Sequence, residues 1–138
     1  MTDKVRVLVA DDEPEMRLLY RIGLEQDGRF AVVGEAKDGA DAIRMARDLR
    51  PDAVLLDMVM PGMDGLEALP FVRSAVPEAL VILLSALPAG SFAERASALG
   101  ASACITKLGT GSPAELLAEM LWGPEGSSRM PGRDPGPT

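Results

Sequence analysis

Five short apolar runs, set apart by stretches of a different period, constrain this chain more than any other feature. "VRVLVA" (5–10), "FAVVGEA" (30–36), "DAVLLD" (52–57), "ALVILLSA" (79–86) and "ASACIT" (101–106) are partly β-branched and too short for buried helices, so they read as strands. Between them apolar residues recur at helical spacing. Met16, Leu19, Tyr20 and Gly23 share one face of a first helix after Pro14, a residue suited to the first turn. Ala40, Ile43, Met45, Ala46 and Leu49 mark a second helix, which must end before Pro51. "LEALPFVRSA" makes a third, where Pro70 is expected to kink the helix or confine its regular part to one side. "SFAERASALG" makes a fourth, closed by Gly100. "SPAELLAEMLW" makes a fifth, with Ser112 as N-cap, Pro113 at N1 and Glu115 at N3 in a capping-box arrangement.

Strands apolar on both faces imply a parallel sheet covered by helices on both sides. Right-handed crossovers then favour a flavodoxin-like doubly wound α/β fold, five strands in the order 2-1-3-4-5. The domain is expected over residues 1–122. Residues 123–138, "GPEGSSRMPGRDPGPT", are rich in Gly, Pro and Ser with little to bury and read as a flexible tail. At 138 residues the chain is long enough for one core and too short for two ordinary domains.

Charge and composition narrow the functions. A formal charge of −7 makes the chain a poor direct binder of nucleic acid or of an anionic membrane. It has no histidine, which excludes a Ser-His-Asp triad, a His-based zinc site and a His phosphocarrier within the chain. Cys104 is its one cysteine, so no intrachain disulfide framework exists and a reducing compartment fits best. The apolar run near the N-terminus is too short, and too soon interrupted by acids, for a signal peptide or span. A cytoplasmic protein is expected.

The acids need an explanation of their own. In "VADDEPE", Asp11, Asp12, Glu13 and Glu15 crowd the end of the first strand. In a parallel sheet the carboxyl ends of all strands share one edge, where ligands bind. Asp57 leaves the third strand there, Ser85 the fourth, and Thr106 and Lys107 the fifth. Taken singly, each has an ordinary reading. An acid pair caps a helix, "PGMDG" punctuates a turn, and a lysine decorates a surface. Their joint placement at successive strand ends instead points to a divalent cation shared by Asp11, Asp12 and Asp57.

"VLVADDEPEMR", "PDAVLLDMVMPGMDGLE", "VILLSA" and "GASACITK" together resemble the receiver domain of two-component response regulators, over roughly residues 4–122. The resemblance implies that Asp57 accepts a phosphoryl group from a histidine of a sensor histidine kinase. It implies Mg2+ bound by Asp12 directly, by Asp11 mainly through water, by Asp57 and by the backbone carbonyl of Val59. Ser85 would hydrogen-bond the phosphoryl group and Lys107 would pair with it, while Pro61 and Gly62 shape the neighbouring loop. Such a chain is not a conventional enzyme, although it catalyses its own phosphorylation and dephosphorylation. Both nucleophile and donor are negative, so a cation and a lysine are needed to offset their repulsion.

Three positions depart from the family pattern. Cys104 stands where Tyr or Phe is common and is too small to follow Ser85 as a switch lever, so the Ser85–Cys104 switch is expected to be muted or carried elsewhere. Its plainer reading is a compact core thiol. Leu108 replaces the usual Pro after Lys107, so the Lys107–Leu108 bond is expected to be trans with an altered loop, or strained and cis. Val59 and Leu87 are apolar where hydrolytic water would pass, which predicts slow loss of the phosphoryl group.

The output is expected to be a change in protein–protein contacts, through an unidentified effector or a dimer on the α4-β5-α5 face. The sequence before Gly123 resembles receivers that precede a DNA-binding module. The sixteen-residue tail cannot hold one, so a single-domain regulator is favoured over the N-terminal part of a transcriptional regulator. Leu18 and Ile22 lie off the expected core face of the first helix and offer a second contact. The alternatives are a pseudo-receiver that works without phosphorylation and a Mg2+-dependent aspartyl-phosphate phosphohydrolase. The latter needs a second acid at position 59, where this chain has Val. A nucleotide-binding domain fits least, since no Gly-rich loop follows the first strand.

Overall fold

The computed structural model describes residues 3–86, 92–107 and 112–124. Strands β1 (Val5–Ala10), β2 (Phe30–Ala36), β3 (Ala53–Asp57), β4 (Leu80–Ser85) and β5 (Ala103–Thr106) form one parallel sheet in the order 2-1-3-4-5. Helices α1 (Pro14–Asp27), α2 (Gly39–Leu49), α3 (Gly65–Ala75), α4 (Ala93–Leu99) and α5 (Pro113–Trp122) connect and follow them. The flavodoxin-like doubly wound fold expected from the alternating periods is the fold observed.

Side-chain alternation along the strands divides the core into two layers. Leu8, Val54, Val81 and Leu83 face α2, α3 and α4. Val7, Val9, Leu55, Ile82 and Leu84 face α1 and α5. Both faces of β3 are buried, which explains why its sequence is apolar without interruption.

The helix faces are less regular than the spacing predicts. On α1 the buried residues are Met16, Tyr20 and Leu24, whereas Leu19, expected in the core, is 55% exposed. A strict four-residue stack faces the sheet, and Leu19, a quarter-turn before Tyr20, projects past its edge. Leu18 and Ile22 are exposed, as expected. On α2 the small residue packed inward is Ala42, and Ala40 is exposed. Helix α3 runs through Pro70 and is not confined to one side of it.

Helix ends follow local chemistry. Arg50 takes a left-handed conformation (φ 48°) between α2 and Pro51. Gly100 closes α4 at φ 116°, a conformation that glycine adopts without a Cβ penalty. At α5 the Ser112 hydroxyl accepts from the Glu115 N–H at 3.1 Å, which is half of the expected box. The complete box lies at α3, where Asp64 accepts from the Glu67 N–H and Glu67 accepts from the Asp64 N–H. Trp122 docks the end of α5, tilted against Phe30 with ring centroids 5.8 Å apart and beneath the Arg29 guanidinium at 4.5 Å. Residues 125–138, most of the expected tail, lie outside the described residues.

Candidate functional site

The carboxyl edge of the sheet is pinned one residue beyond the strands themselves. The Asp11 N–H donates to the Ala36 carbonyl at 3.0 Å, Met58 N–H to Leu84 at 2.7 Å, and Lys107 N–H to Ser85 at 2.6 Å. These bonds bring Asp11, Asp57 and Lys107 to one level. Asp11, Asp57 and Ser85 are buried, whereas Asp12 faces solvent. One oxygen from each of Asp11, Asp12 and Asp57 falls within 4.8 Å of the others. The three acids read from the sequence as a cation site therefore do converge.

Lys107 closes the cluster from β5. Its ammonium lies 2.8 Å from Asp11 Oδ2, 3.1 Å from Asp57 Oδ2 and 3.6 Å from Glu13 Oε1. Burial alone would lower its pKa, but the bonds to Asp11 and Asp57 outweigh burial and hold it above the usual lysine value. Asp57 behaves in the opposite way. Burial and then the neighbouring Asp11 charge push its carboxyl up to about 6, against the pull of Lys107 and the Val59 N–H.

Charge therefore remains in excess. Asp11, Asp12, Glu13 and Asp57 face one lysine. The Asp11 Oδ2, although ion-paired with Lys107, receives no aligned hydrogen bond. A small hard cation fits this set, because Mg2+ takes carboxylate oxygens and retains waters on its open side, here the side of exposed Asp12.

The surrounding backbone is shaped for the same edge. A Cβ on Gly65 would sit 2.0 Å from the Asp57 carbonyl oxygen, and its N–H donates to the Met58 carbonyl at 2.8 Å. The "PGMDG" loop thus packs directly on the backbone of Asp57. Val59 donates its N–H to Asp57 Oδ1 at 3.4 Å, and its side chain is 68% exposed at the mouth of the site.

Ser85 and Cys104 lie on the other layer. Cys104 pairs with Leu83 in register, Ser85 with Thr106, and Cys104 is half-buried against the α2-α3-α4 core. Burial raises its thiol pKa, as befits a packing residue. Leu87, Leu108 and the Lys107–Leu108 bond lie outside the described residues.

Sequence reasoning missed the brace behind Asp11. Arg17 donates through Nη1 to the Asp11 carbonyl at 2.8 Å and through Nε to Glu35 at 3.1 Å, while Arg21 holds Glu35 at 2.6 Å. The charges were visible, but their meeting depends on how α1 sits across β2.

A family model described as the response regulator receiver domain matches residues 7–120. The chain belongs to that family. A Pseudomonas aeruginosa protein named as a transcriptional regulator is 38% identical over 116 residues, 84% of this chain and 53% of that protein. The receiver thus spans about half the length of that curated relative. Among solved structures, the signal receiver domain of the response regulator NarL from Mycobacterium tuberculosis is 36% identical, with a TM-score of 0.78. That match covers 86% of this chain and 96% of the other. A CheX-CheY-BeF3-Mg2+ complex from Borrelia burgdorferi contains a chain 26% identical at TM-score 0.71. There the match covers 84% of this receiver and 86% of the other chain.

Proposed function

We propose that this receiver accepts a phosphoryl group on Asp57 from the phosphohistidine of a sensor histidine kinase, with Mg2+ as cofactor. One Asp57 oxygen attacks phosphorus, the P–N bond to the donor imidazole breaks, and the electron pair leaves with the imidazole, which takes up a proton. Asp12 and Asp57 would hold the ion directly, Asp11 mainly through water, and the Val59 carbonyl would add a ligand. When bound, Mg2+ supplies the positive charge that lets an anionic nucleophile meet an anionic phosphoryl group.

The chain's own residues prepare that encounter. Lys107 offsets charge at Asp57 and is placed to pair with the incoming phosphoryl oxygens. Asp57, with a pKa near 6 in the cation-free pocket, is a partly protonated and weaker nucleophile near neutrality. A cation beside it favours the ionised form. Ser85 is assigned to bind the phosphoryl group and, with Cys104, to relay its presence. The observation that carries the reading is the joint contact of the Lys107 ammonium with Asp11 and Asp57, beside three carboxylates within 4.8 Å.

The output is proposed as a switch in protein–protein contacts in the cytoplasm, by effector binding or dimerisation on the α4-β5-α5 face. Of the two settings, a single-domain regulator or the receiver of a longer transcriptional regulator, the name and length of the Pseudomonas relative favour the second. Among the described residues no helix is long and apolar enough to cross a membrane. Apolar, exposed Val59 cannot orient attacking water, which favours slow hydrolysis of the acyl phosphate.

Intact mass after incubation with acetyl phosphate and Mg2+ tests the chemistry. One phosphoryl group should appear on the wild-type chain and be absent from Asp57→Asn and from samples with chelator. No gain on the wild-type chain would refute phosphoacceptance and favour the pseudo-receiver.

A further inference from the structure

Among the described residues, two buried side-chain polar atoms have no hydrogen-bond partner: Asp11 Oδ2 and the Tyr20 hydroxyl. They belong to one layer of the molecule. Along β1, Val7 and Val9 face α1 and α5, and Asp11 continues that alternation. Asp57 does the same after Leu55, and Lys107 after Ile105. Tyr20 reaches into this layer from α1, where it is 7% exposed.

Direction favours an encounter. A long side chain on a helix leans back toward the helix N-terminus. Helix α1 begins at Pro14, three residues after Asp11, so the lean carries the Tyr20 hydroxyl toward the acidic edge. Burial pushes its pKa up to about 12. The charges of Lys107, Asp11, Asp57 and Glu13 all act on it, Lys107 lowering and the carboxylates raising the value. The hydroxyl therefore stays protonated and available as a donor at any ordinary pH.

Packing alone does not ask for this residue. Val9, Leu84 and Ala114 in the same layer are apolar, and an apolar ring would fill the space without burying an oxygen. A donor without an acceptor and an acceptor without a donor, in one layer and electrostatically coupled, are most simply joined. Neither atom has a direct partner, so the link is one buried water, the usual means of satisfying such groups.

We infer that Tyr20 is a positioning residue of the metal pocket, its hydroxyl linked through one ordered water to Asp11 Oδ2 so that this carboxylate is held in place for Mg2+. The inference rests on the proposed Mg2+ site and adds to it a residue outside the family motifs. A group one step behind a metal ligand typically changes affinity by about 10-fold or more when removed.

The test is Mg2+ titration by calorimetry of the wild-type chain and of Tyr20→Phe, with thermal melts of both in chelator. Phenylalanine keeps the ring and removes the hydroxyl. The expected result is Mg2+ affinity weakened about 10-fold, with an unchanged or higher melting temperature without metal. Because Tyr20 is the chain's sole tyrosine, its ring Cζ resonance reports one hydroxyl and is expected to shift as Mg2+ saturates the wild-type protein. In an Asp11→Asn background, Tyr20→Phe should have no further effect on affinity. Affinity within twofold of wild type, or a lowered melting temperature as the sole change, overturns the inference and leaves Tyr20 as packing. Failure of the wild-type chain to bind Mg2+ would instead overturn the metal reading beneath it.

Discussion

Replacing Asp57 by asparagine should stabilise this protein at neutral pH in the absence of metal. In the folded state burial and Asp11 raise the Asp57 carboxyl from 3.8 to about 6. A raised folded pKa means that folding favours the protonated form. The contribution of Asp57 to stability is full below about pH 4 and is lost as pH climbs through 6. Each pH unit of displacement corresponds to about 1.4 kcal/mol, so ionised Asp57 costs roughly 3 kcal/mol at pH 7.5. Asparagine has nearly the same shape and carries no charge, so Asp57→Asn should recover about 2–3 kcal/mol there and nearly nothing at pH 4. For a domain of this size that is a rise of roughly 10 °C in melting temperature. Urea unfolding of both chains in chelator, from pH 4 to 8, measures the difference. Saturating Mg2+ should shrink the gap, since the ion binds the folded wild-type site. A difference that is absent at pH 7.5, or independent of pH, would refute the claim that the pocket holds Asp57 against its charge.

Other perturbations separate the parts of the site. Lys107→Met removes the ammonium between Asp11 and Asp57, so phosphorylation by acetyl phosphate, followed by intact mass, should slow by roughly 100-fold. Calorimetric Mg2+ binding should persist. Gly65→Ala places a Cβ 2.0 Å from the Asp57 carbonyl oxygen, where only backbone movement can relieve it. Urea melts should show a loss of about 2 kcal/mol or more. Trp122→Ala strips the end of α5 of its contacts with Phe30 and Arg29. It should cost about 2 kcal/mol while leaving Mg2+ affinity unchanged.

What the sequence disclosed depended on the range of the interaction involved. Strand order followed from local periodicity and a rule of handedness, and the ends of parallel strands then placed Asp11, Asp57 and Lys107 together without further information. Helix faces were less certain, because Leu19 and Tyr20 differ by only 100° and four-residue stacking on the sheet decides between them. The capping box at Asp64–Glu67 was hidden inside a stretch that reads equally well as a Gly-rich turn. The Arg17–Glu35–Arg21 brace was out of reach, since it joins two elements whose relative register no local pattern encodes. Tyr20 was legible only as core. Its apolar body explains its spacing, and nothing in a one-dimensional pattern reveals whether a buried hydroxyl finds a partner.

The two layers of the sheet also bear on how a phosphoryl group at Asp57 could be sensed. By alternation, Asp11, Asp57 and Lys107 stand on the α1-α5 side, while Ser85 and Cys104 stand on the side of α2, α3 and α4. Chemistry on the first side reaches α4 only if some group crosses the sheet edge, and Ser85, at the last residue of β4, is the described hydroxyl placed to do so. Behind it, an aromatic ring would fill the space through which Ser85 moves and convert that movement into a rotation. The Cys104 thiol, half-buried against the α2-α3-α4 core, has one rotatable bond before sulfur and little volume to displace. A shift of Ser85 toward a phosphoryl group would then be absorbed locally instead of being transmitted through β5. On that argument, restoring bulk with Cys104→Tyr should enlarge the amide shifts of α4 and β5 on adding BeF3 and Mg2+, relative to the wild-type chain. Equal shifts in the two proteins would show that the signal leaves by the α1-α5 layer.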